Sequence, residues 1–147
     1  MPAKKTKKAK KVLDKKIDNV NWNTTDGDEI QRRKLRAVGE NIHVKPLRQD
    51  HDYYTAFLVY SEFWANYDTA KYLVEIRSLD EFINSCDCVD FQTSGLGTCK
   101  HVEKVLLYLV KKGKGKFRQF AVEGSPYIEI FLRAADNKIC IQWPQGY

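Results

Sequence analysis

The sequence has no long apolar run, and no apolar segment follows its lysine-rich beginning. A membrane-spanning helix needs about 18 consecutive apolar residues, and a secretory signal needs an apolar stretch behind its first charges. Neither feature is present. We therefore expect a cytoplasmic protein without a membrane partner, nucleoid-associated if it binds DNA, whose four cysteines lie in a reducing compartment.

Sequence signatures of catalysis are also missing. The phosphate-binding pattern G-x-x-x-x-G-K-[ST] does not occur, so the usual loop for ATP hydrolysis is absent. His43 and His51 have no nucleophile or second ligand at a useful spacing, and Asp26 and Asp28 fit helix capping better than acid–base chemistry. We expect no enzymatic activity and no small-molecule substrate.

The length and composition fit one globular domain with its own core. The chain has 147 residues, of which 43% are hydrophobic and 12% aromatic. That is enough apolar surface to bury a core without disulfides, and it excludes coiled-coil, collagen-like and multi-domain architectures. We find no internal repeat.

The net charge of +6 is concentrated at the N-terminus. Residues 1–16 hold eight of the 25 basic residues and one of the 19 acidic ones, which leaves 17 basic and 18 acidic residues elsewhere, a net −1. Lysine, alanine and threonine dominate the first 16 residues, a composition that cannot build a core. The sequence therefore predicts a disordered basic arm over residues 1–20.

Hydrophobic periodicity predicts an α+β fold behind this arm. Candidate N-caps over residues 24–29 indicate a short helix that ends at about Val38, and helical spacing indicates another over about 100–112. Alternation indicates strands over 53–60 and 72–78. A hairpin is expected near the C-terminus, with Asp136-Asn137 in its loop. Its apolar residues form two matching sets: Ile128, Ile130 and Leu132 on one strand, and Ile139, Ile141 and Trp143 on the other. We assign residues 21–115 to the α+β domain and 116–147 to a hairpin extension.

Three cysteines and a histidine provide the strongest functional signal. Cys86 and Cys88 form C-x-C, and after ten intervening residues Cys99 and His101 form C-x-H at the expected start of an apolar helix. Three thiolates and one imidazole are a ligand set that tetrahedral Zn²⁺ favours in structural sites. Gly95 and Gly97 allow the connection to return to the metal.

Two alternatives to zinc are ordinary buried cysteines beside a hydrogen-bonded histidine, and a pair of disulfides. A C-x-C disulfide is strained, and a reducing compartment disfavours it. Chance rarely brings three cysteines and a histidine into sixteen residues, so we favour a closed structural zinc site. Cys140 lies outside the pattern, and we expect it to be a free thiol.

The pattern Cys86-Asp87-Cys88 with Cys99-Lys100-His101 resembles the SWIM zinc-finger signature C-x-C-xn-C-x-H. The run from Val74 to Leu109 is similar to the SWIM segment that precedes the motor of bacterial Swi/Snf-type helicases. Val89 stands where family members often have proline, which leaves the ligands untouched. The resemblance implies a zinc finger over about 72–112, in a module that binds DNA or protein without catalysing a reaction.

Two lysine-rich segments are candidates for phosphate contacts. The second segment runs from Lys111 to Arg118 and has two equally supported interpretations. It is either a phosphate-binding patch beside the zinc site or a solvated helix end whose positive charge complements the helix dipole. Aromatic residues between Tyr53 and Tyr67 fit a core better than base stacking. The candidate contacts are Lys4, Lys5, Lys7, Lys8, Lys10, Lys11, Lys111, Lys112, Lys114, Lys116 and Arg118.

These observations predict a small antiparallel sheet with a zinc-anchored C-x-C hairpin and a C-x-H helix. We expect a non-catalytic zinc module that binds nucleic acid largely without sequence choice, accessory to a helicase. The alternative is a zinc-stabilised adaptor that binds protein.

Overall fold

The computed structural model describes residues 25–47, 56–61, 70–113, 115, 117–118 and 127–144. The predicted arm over 1–20 lies outside these ranges. Helix α1 spans Asp26–Gly39, strand β1 Ile42–Pro46, β2 Ala56–Ser61, β3 Tyr72–Glu75 and β4 Ser85–Cys86. Helix α2 spans Val89–Ser94, α3 Lys100–Tyr108, a π-helical segment Leu109–Gly113, β5 Glu129–Arg133 and β6 Lys138–Gln142. The predicted α+β class with antiparallel sheets is confirmed, and the domain boundaries stay predictions.

Helix α1 begins with a capping box formed by Thr25 and Asp28. The Thr25 hydroxyl accepts from the Asp28 backbone N–H at 3.2 Å, and the Asp28 carboxylate accepts from the Thr25 N–H at 3.0 Å. Two of the free N–H groups at the helix start are thereby satisfied. These hydrogen bonds from Thr25 hold the pKa of Asp28 below its ordinary value.

The first four strands form one antiparallel sheet in the order β1-β2-β3-β4. Val44 lies opposite Val59, Phe57 opposite Val74, and Val74 opposite Cys86. Strand β3 ends at Glu75, three residues before the predicted end at Ser78. Of the strand predicted over 53–60, Tyr53 to Thr55 lie outside the described ranges. Ile76 is nevertheless fully buried beside Val74, as the predicted alternation requires.

Helix α3 covers one face of this sheet and completes the core. Its apolar stripe buries Val102 and Val105, and Leu109 of the π-helical segment continues it. These side chains pack with Phe57 and Val74 from the sheet in one cluster. Each fully buried side chain of this size contributes about 1.5–3 kcal/mol to the free energy of unfolding. The helix predicted over 100–112 is therefore present, with its last turn in the π form.

Polar contacts fix α1 against the helices that carry the cysteines. The Arg33 guanidinium makes two hydrogen bonds to the Asp90 carboxylate of α2, at 2.6 and 3.0 Å. The Lys104 ammonium donates to the Ala37 carbonyl at 3.0 Å, and the Lys100 ammonium pairs with Glu40 just beyond α1. A lysine at a helix C-terminus complements the dipole and satisfies a free carbonyl.

Strands β5 and β6 form a separate two-stranded sheet, and the predicted hairpin is confirmed. Asn137 in its turn adopts a φ of 56°, a left-handed conformation that asparagine tolerates. The hairpin attaches through Arg77, whose guanidinium carbon lies 4.2 Å from the Phe131 ring centroid. The Arg77 Nε atom also lies 3.3 Å from the Glu129 Oε2 atom. The two groups form an ion pair, but their geometry is not that of a hydrogen bond.

The opposite side of the hairpin is exposed. We call it the hairpin face, and it consists of Ile128, Ile130, Leu132, Ile139, Ile141 and Trp143, each between 49% and 75% exposed. Ile130 lies opposite Ile141, and Leu132 lies opposite Ile139, so these side chains adjoin one another. The two apolar sets expected from the sequence therefore do form one surface, and that surface is not part of the core.

Candidate metal centre

The four residues of the C-x-C and C-x-H patterns converge in one buried cluster. Cys86, Cys88, Cys99 and His101 each offer one ligand atom, and these atoms lie within 4.8 Å of one another. All four residues are buried, and none of the cysteines forms a disulfide. The cluster therefore has the ligand types and the proximity of a zinc site, with its three cysteines as free thiols.

The secondary structure places each ligand at the end of an element. Cys86 is the last residue of β4, and its backbone register against Val74 fixes it to the sheet. Cys88 caps the N-terminus of α2, and Cys99 caps the N-terminus of α3. His101 lies in the first turn of α3. The predicted position of C-x-H at the opening of the helix is confirmed.

The two capping cysteines use their sulfur atoms as hydrogen-bond acceptors. The Cys88 Sγ accepts from the Phe91 N–H at 3.4 Å, and the Cys99 Sγ accepts from the Val102 N–H at 3.5 Å. Free N–H groups and the positive end of the helix dipole both favour a thiolate over a thiol. Each helix thus stabilises the charge of one ligand.

His101 presents its Nδ1 atom to the sulfurs. This atom lies 3.9 Å from the Cys86 Sγ and 4.0 Å from the Cys99 Sγ. Zinc bonds of about 2.0 Å to nitrogen and 2.3 Å to sulfur at tetrahedral angles separate ligand atoms by about 3.5–3.8 Å. The two N–S separations exceed these values by a few tenths of an ångström, and no two of the four ligand atoms are more than 4.8 Å apart, so one Zn²⁺ can reach all four with Nδ1 as the nitrogen ligand.

The sulfurs also change one another's acidity. Contacts with Cys88 and Cys99, and then burial, raise the pKa of the Cys86 thiol well above its ordinary value. Contacts with Cys86 and Cys99 lower the pKa of Cys88. For Cys99, the contact with Cys86 lowers the pKa, but the contact with Cys88 and burial outweigh it and raise the pKa to about 12. Three thiolates therefore need a cation beside them, which Zn²⁺ would supply.

Two supporting residues were missed by sequence reasoning. The Asp87 carboxylate accepts from the Leu73 N–H at 2.9 Å, and the Asp87 N–H donates to the Leu73 carbonyl at 3.2 Å, which locks the middle of C-x-C onto β3. The Tyr72 ring stacks on the His101 imidazole with centroids 4.6 Å apart. The only sequence signal for Tyr72 was its place on the same strand face as Val74.

Two glycines shape the connection between the ligand pairs. Gly95 follows α2 with a φ of 68°, and Gly97 has a φ of 72°, both in the left-handed region that favours glycine. A Cβ at Gly97 would lie 3.1 Å from the Cβ atoms of Ala135 and Phe82. Both glycines were expected to let the connection return to the metal, and their left-handed backbone conformations are how they do so.

The three candidate phosphate contacts that the structure describes are not part of the metal centre. Lys111 and Lys112 are exposed in the π-helical segment, and Arg118 is exposed as well. Lys111 follows Cys99 by twelve residues, about 18 Å along a helix axis, so the run begins at the far end of α3 rather than beside the cluster. The remaining candidates lie outside the described residues: Lys4, Lys5, Lys7, Lys8, Lys10, Lys11, Lys114 and Lys116.

Cys140 and the aromatic residues of the 53–67 segment were not expected to belong to the metal centre. Cys140 is a free thiol outside the cluster, as expected. Phe57 is fully buried, whereas Tyr60 is partly exposed and stacks on His43 with centroids 5.5 Å apart. The remaining aromatic residues of the 53–67 segment lie outside the described residues, as does His51.

Comparisons with known proteins add no family assignment. The chain matches no protein-family model, no curated protein and no solved structure. Among the helices of the described ranges, none is long and apolar enough to cross a membrane. The chain thus holds a small α+β unit with a buried Cys3His group that could hold a metal ion such as zinc.

Proposed function

We propose that this chain is a non-catalytic module, stabilised by one zinc ion, that binds nucleic acid largely through phosphate contacts. The observation that carries the zinc part is the burial of all four ligand residues in one cluster. A structural zinc site uses four protein ligands, whereas a catalytic site keeps a position open for water or substrate. A Cys3His set supplies all four ligands.

The charge distribution supports nucleic acid as the partner. Many basic side chains of the folded part serve internal contacts, such as Arg33 with Asp90 and Arg36 with Glu40. Lys111 and Lys112 are exposed and form no ion pair with any described residue, and eight lysines lie in residues 1–16. Lysines that are free to contact phosphates give affinity without sequence specificity.

The SWIM resemblance adds a context for this activity. It rests on the C-x-C and C-x-H spacing and on the run from Val74 to Leu109, and it implies a module accessory to a Swi/Snf-type helicase. In that context, the module would hold nucleic acid while a separate motor supplied ATP hydrolysis. The chain itself contains no phosphate-binding loop for ATP.

A salt titration of binding to labelled single-stranded and duplex DNA tests the proposal. Each phosphate contact on duplex DNA contributes a slope of about −0.9 in log affinity against log salt, so an arm using half its lysines contributes about three to four units. Deletion of residues 1–16 should remove that part of the slope and leave the zinc content unchanged. Lys111→Gln with Lys112→Gln should reduce the slope by about two units at most.

Lys138→Gln is the matched control for the lysine variants. Its side chain is 69% exposed and lies outside the basic run, so this change should leave the slope within one unit of the parent chain. Absence of polynucleotide binding by the intact chain at low salt would refute the nucleic-acid proposal.

A protein-binding adaptor is the second candidate function. The exposed hairpin face favours it, because contiguous apolar surface on a folded protein marks interaction sites more often than isolated exposed residues do. Salt separates the two candidates, since an apolar interface does not weaken steeply as ionic strength rises.

A further inference from the structure

The hairpin face is an interaction surface that the zinc centre and the basic residues do not explain. Strands β5 and β6 turn Phe131 and Glu129 toward Arg77, and they turn the six large apolar side chains of the hairpin face to solvent. The usual arrangement of a half-buried hairpin is the reverse, with the apolar side packed on the core. The opposite side of this hairpin is the one that contacts the rest of the fold.

The hairpin face is continuous and carries no charge. The pairs Ile130–Ile141 and Leu132–Ile139 lie directly across the two strands, so their side chains form a single patch. Charged side chains such as Arg133 and Lys138 alternate to the other side of the strands. A phosphate backbone has nothing to contact on this patch, and five of its six side chains are aliphatic, which leaves Trp143 as its one group for base stacking.

The size of the patch approaches that of a stable interface. Burial of a large apolar side chain removes about 100 Å² from water, so six side chains supply about 600 Å². The largest apolar patch on a typical monomer is about 300–600 Å². A stable complex buries about 800 Å² on each partner, so the patch alone supplies about three quarters of that area.

We propose that the hairpin face joins two copies of this chain in a symmetric homodimer. In a two-fold dimer the same patch meets itself, and an uncharged apolar patch brings no like charges together. The chain outside residues 1–16 has a net charge of −1, so the folded parts do not repel each other strongly. Two hairpins packed face to face bury the side chains that each leaves exposed, as two sheets do in a sandwich.

Face-to-face packing also gives the hairpin a support that it lacks in one copy. An isolated two-stranded sheet is marginally stable in water unless one side packs on other structure. Here the supporting contacts centre on Arg77 and Phe131, and among the described residues the larger apolar side stays about half exposed or more. The proposed dimer does not depend on bound zinc or nucleic acid. A negative result for the dimer is therefore distinguishable from a negative result for zinc binding or nucleic-acid binding.

Sedimentation equilibrium of the full chain, from about 1 µM to about 100 µM, tests the dimer. The weight-average mass should rise from 17.1 kDa toward twice that value. Ile130→Lys combined with Ile141→Glu should weaken association at least about tenfold, because it places charges in the centre of the interface. This pair keeps an attractive cross-strand contact, so the hairpin itself is preserved.

Val38→Lys is the matched control, since Val38 is 68% exposed and lies on α1, outside the hairpin face. This variant should associate like the parent chain. Zinc content and far-ultraviolet circular dichroism show whether each variant is folded. If the charged pair misfolds, Leu132→Thr with Ile139→Thr replaces it, because threonine is well suited to strands.

Three results would overturn the proposal. The first is a monomeric mass at the highest concentration. The second is a dimer that the folded hairpin variants leave unchanged, because association would then use another surface. The third is a monomer that pellets with anionic phospholipid vesicles and loses this binding in the hairpin variants, which would assign the face to a membrane surface.

Discussion

The Tyr72 ring stacks on the His101 imidazole at a centroid distance of 4.6 Å and an interplanar angle of 27°. Tyr72 begins β3, and His101 lies in the first turn of α3, so this contact joins the sheet to the helix at the metal centre. The stack fixes the plane of the imidazole whose Nδ1 faces the Cys86 and Cys99 sulfurs. Groups that orient a metal ligand in this way contribute to metal affinity.

We therefore predict that Tyr72→Ala speeds zinc loss to a chelator by about tenfold, whereas Tyr72→Phe, which keeps the ring, stays close to the parent chain. Stopped-flow detection with a chromogenic chelator measures the rate. Equal acceleration in both variants would assign the effect to the hydroxyl instead of the stack.

Loss of one ligand should unfold the region around the metal. Because zinc-binding energy is part of the folding energy of such a site, Cys99→Ser should lose stoichiometric zinc and the structure of at least residues 83–109. Cys140→Ser is the control, since Cys140 lies outside the cluster. Elemental analysis and thermal unfolding measure both effects, and an unchanged thermal midpoint for Cys99→Ser would contradict a structural zinc.

Zinc binding should release about two protons per ion near pH 7.5. In a metal-free cluster that keeps its fold, the pKa of Cys99 is about 12 and that of Cys86 is raised, so both thiols are protonated before zinc binds. The pKa of Cys88 is lowered, so that sulfur is already a thiolate. Since Zn²⁺ binds only thiolates, affinity should rise with pH and fall on acidification.

Calorimetric titration in buffers of different ionisation enthalpy counts these protons. A release close to three would show that all three thiols are protonated before binding, as they mostly are in an unfolded metal-free segment with ordinary cysteine pKa values of about 8.5. A release below one would contradict the raised pKa values of the other two thiols.

Arg77 should be essential for holding the hairpin against the sheet. Its side chain is only 9% exposed, and it donates to Ser85 at 2.7 Å and pairs with Glu75 at 2.9 Å, besides its contacts with Glu129 and Phe131. Removal of a mostly buried charge with several partners costs about 2–4 kcal/mol, because those partners lose their bonds. Arg77→Met should lower the free energy of unfolding by that amount in a urea titration.

Arg77→Lys tests the geometry of the contact separately from its charge. Lysine keeps the positive charge but lacks the planar guanidinium that lies over Phe131 and reaches several acceptors at once. We expect about half of the loss seen for Arg77→Met. Full retention of stability by the lysine variant would show that charge alone holds the hairpin.

Local patterns in the sequence were sufficient to predict much of this protein. Helix α1 follows capping residues and a terminal glycine, and α3 follows an apolar stripe, because both signals act within a few residues of one another. The four ligands could be found for a similar reason. Cysteine and histidine at these spacings have few uses other than metal binding, so side-chain chemistry alone pointed to Cys86, Cys88, Cys99 and His101.

Only the tertiary structure decided which surfaces meet. Alternation placed Ile130 and Ile141 on one face of a hairpin, but it did not determine that this face would point to solvent and that Phe131 would turn toward Arg77. The contacts of Tyr72 with His101 and of Arg33 with Asp90 join residues 29 and 57 positions apart. Such pairings depend on how whole helices and strands pack against one another. Packing selects among competing contacts between residues far apart in the chain, and no short stretch of sequence encodes that selection.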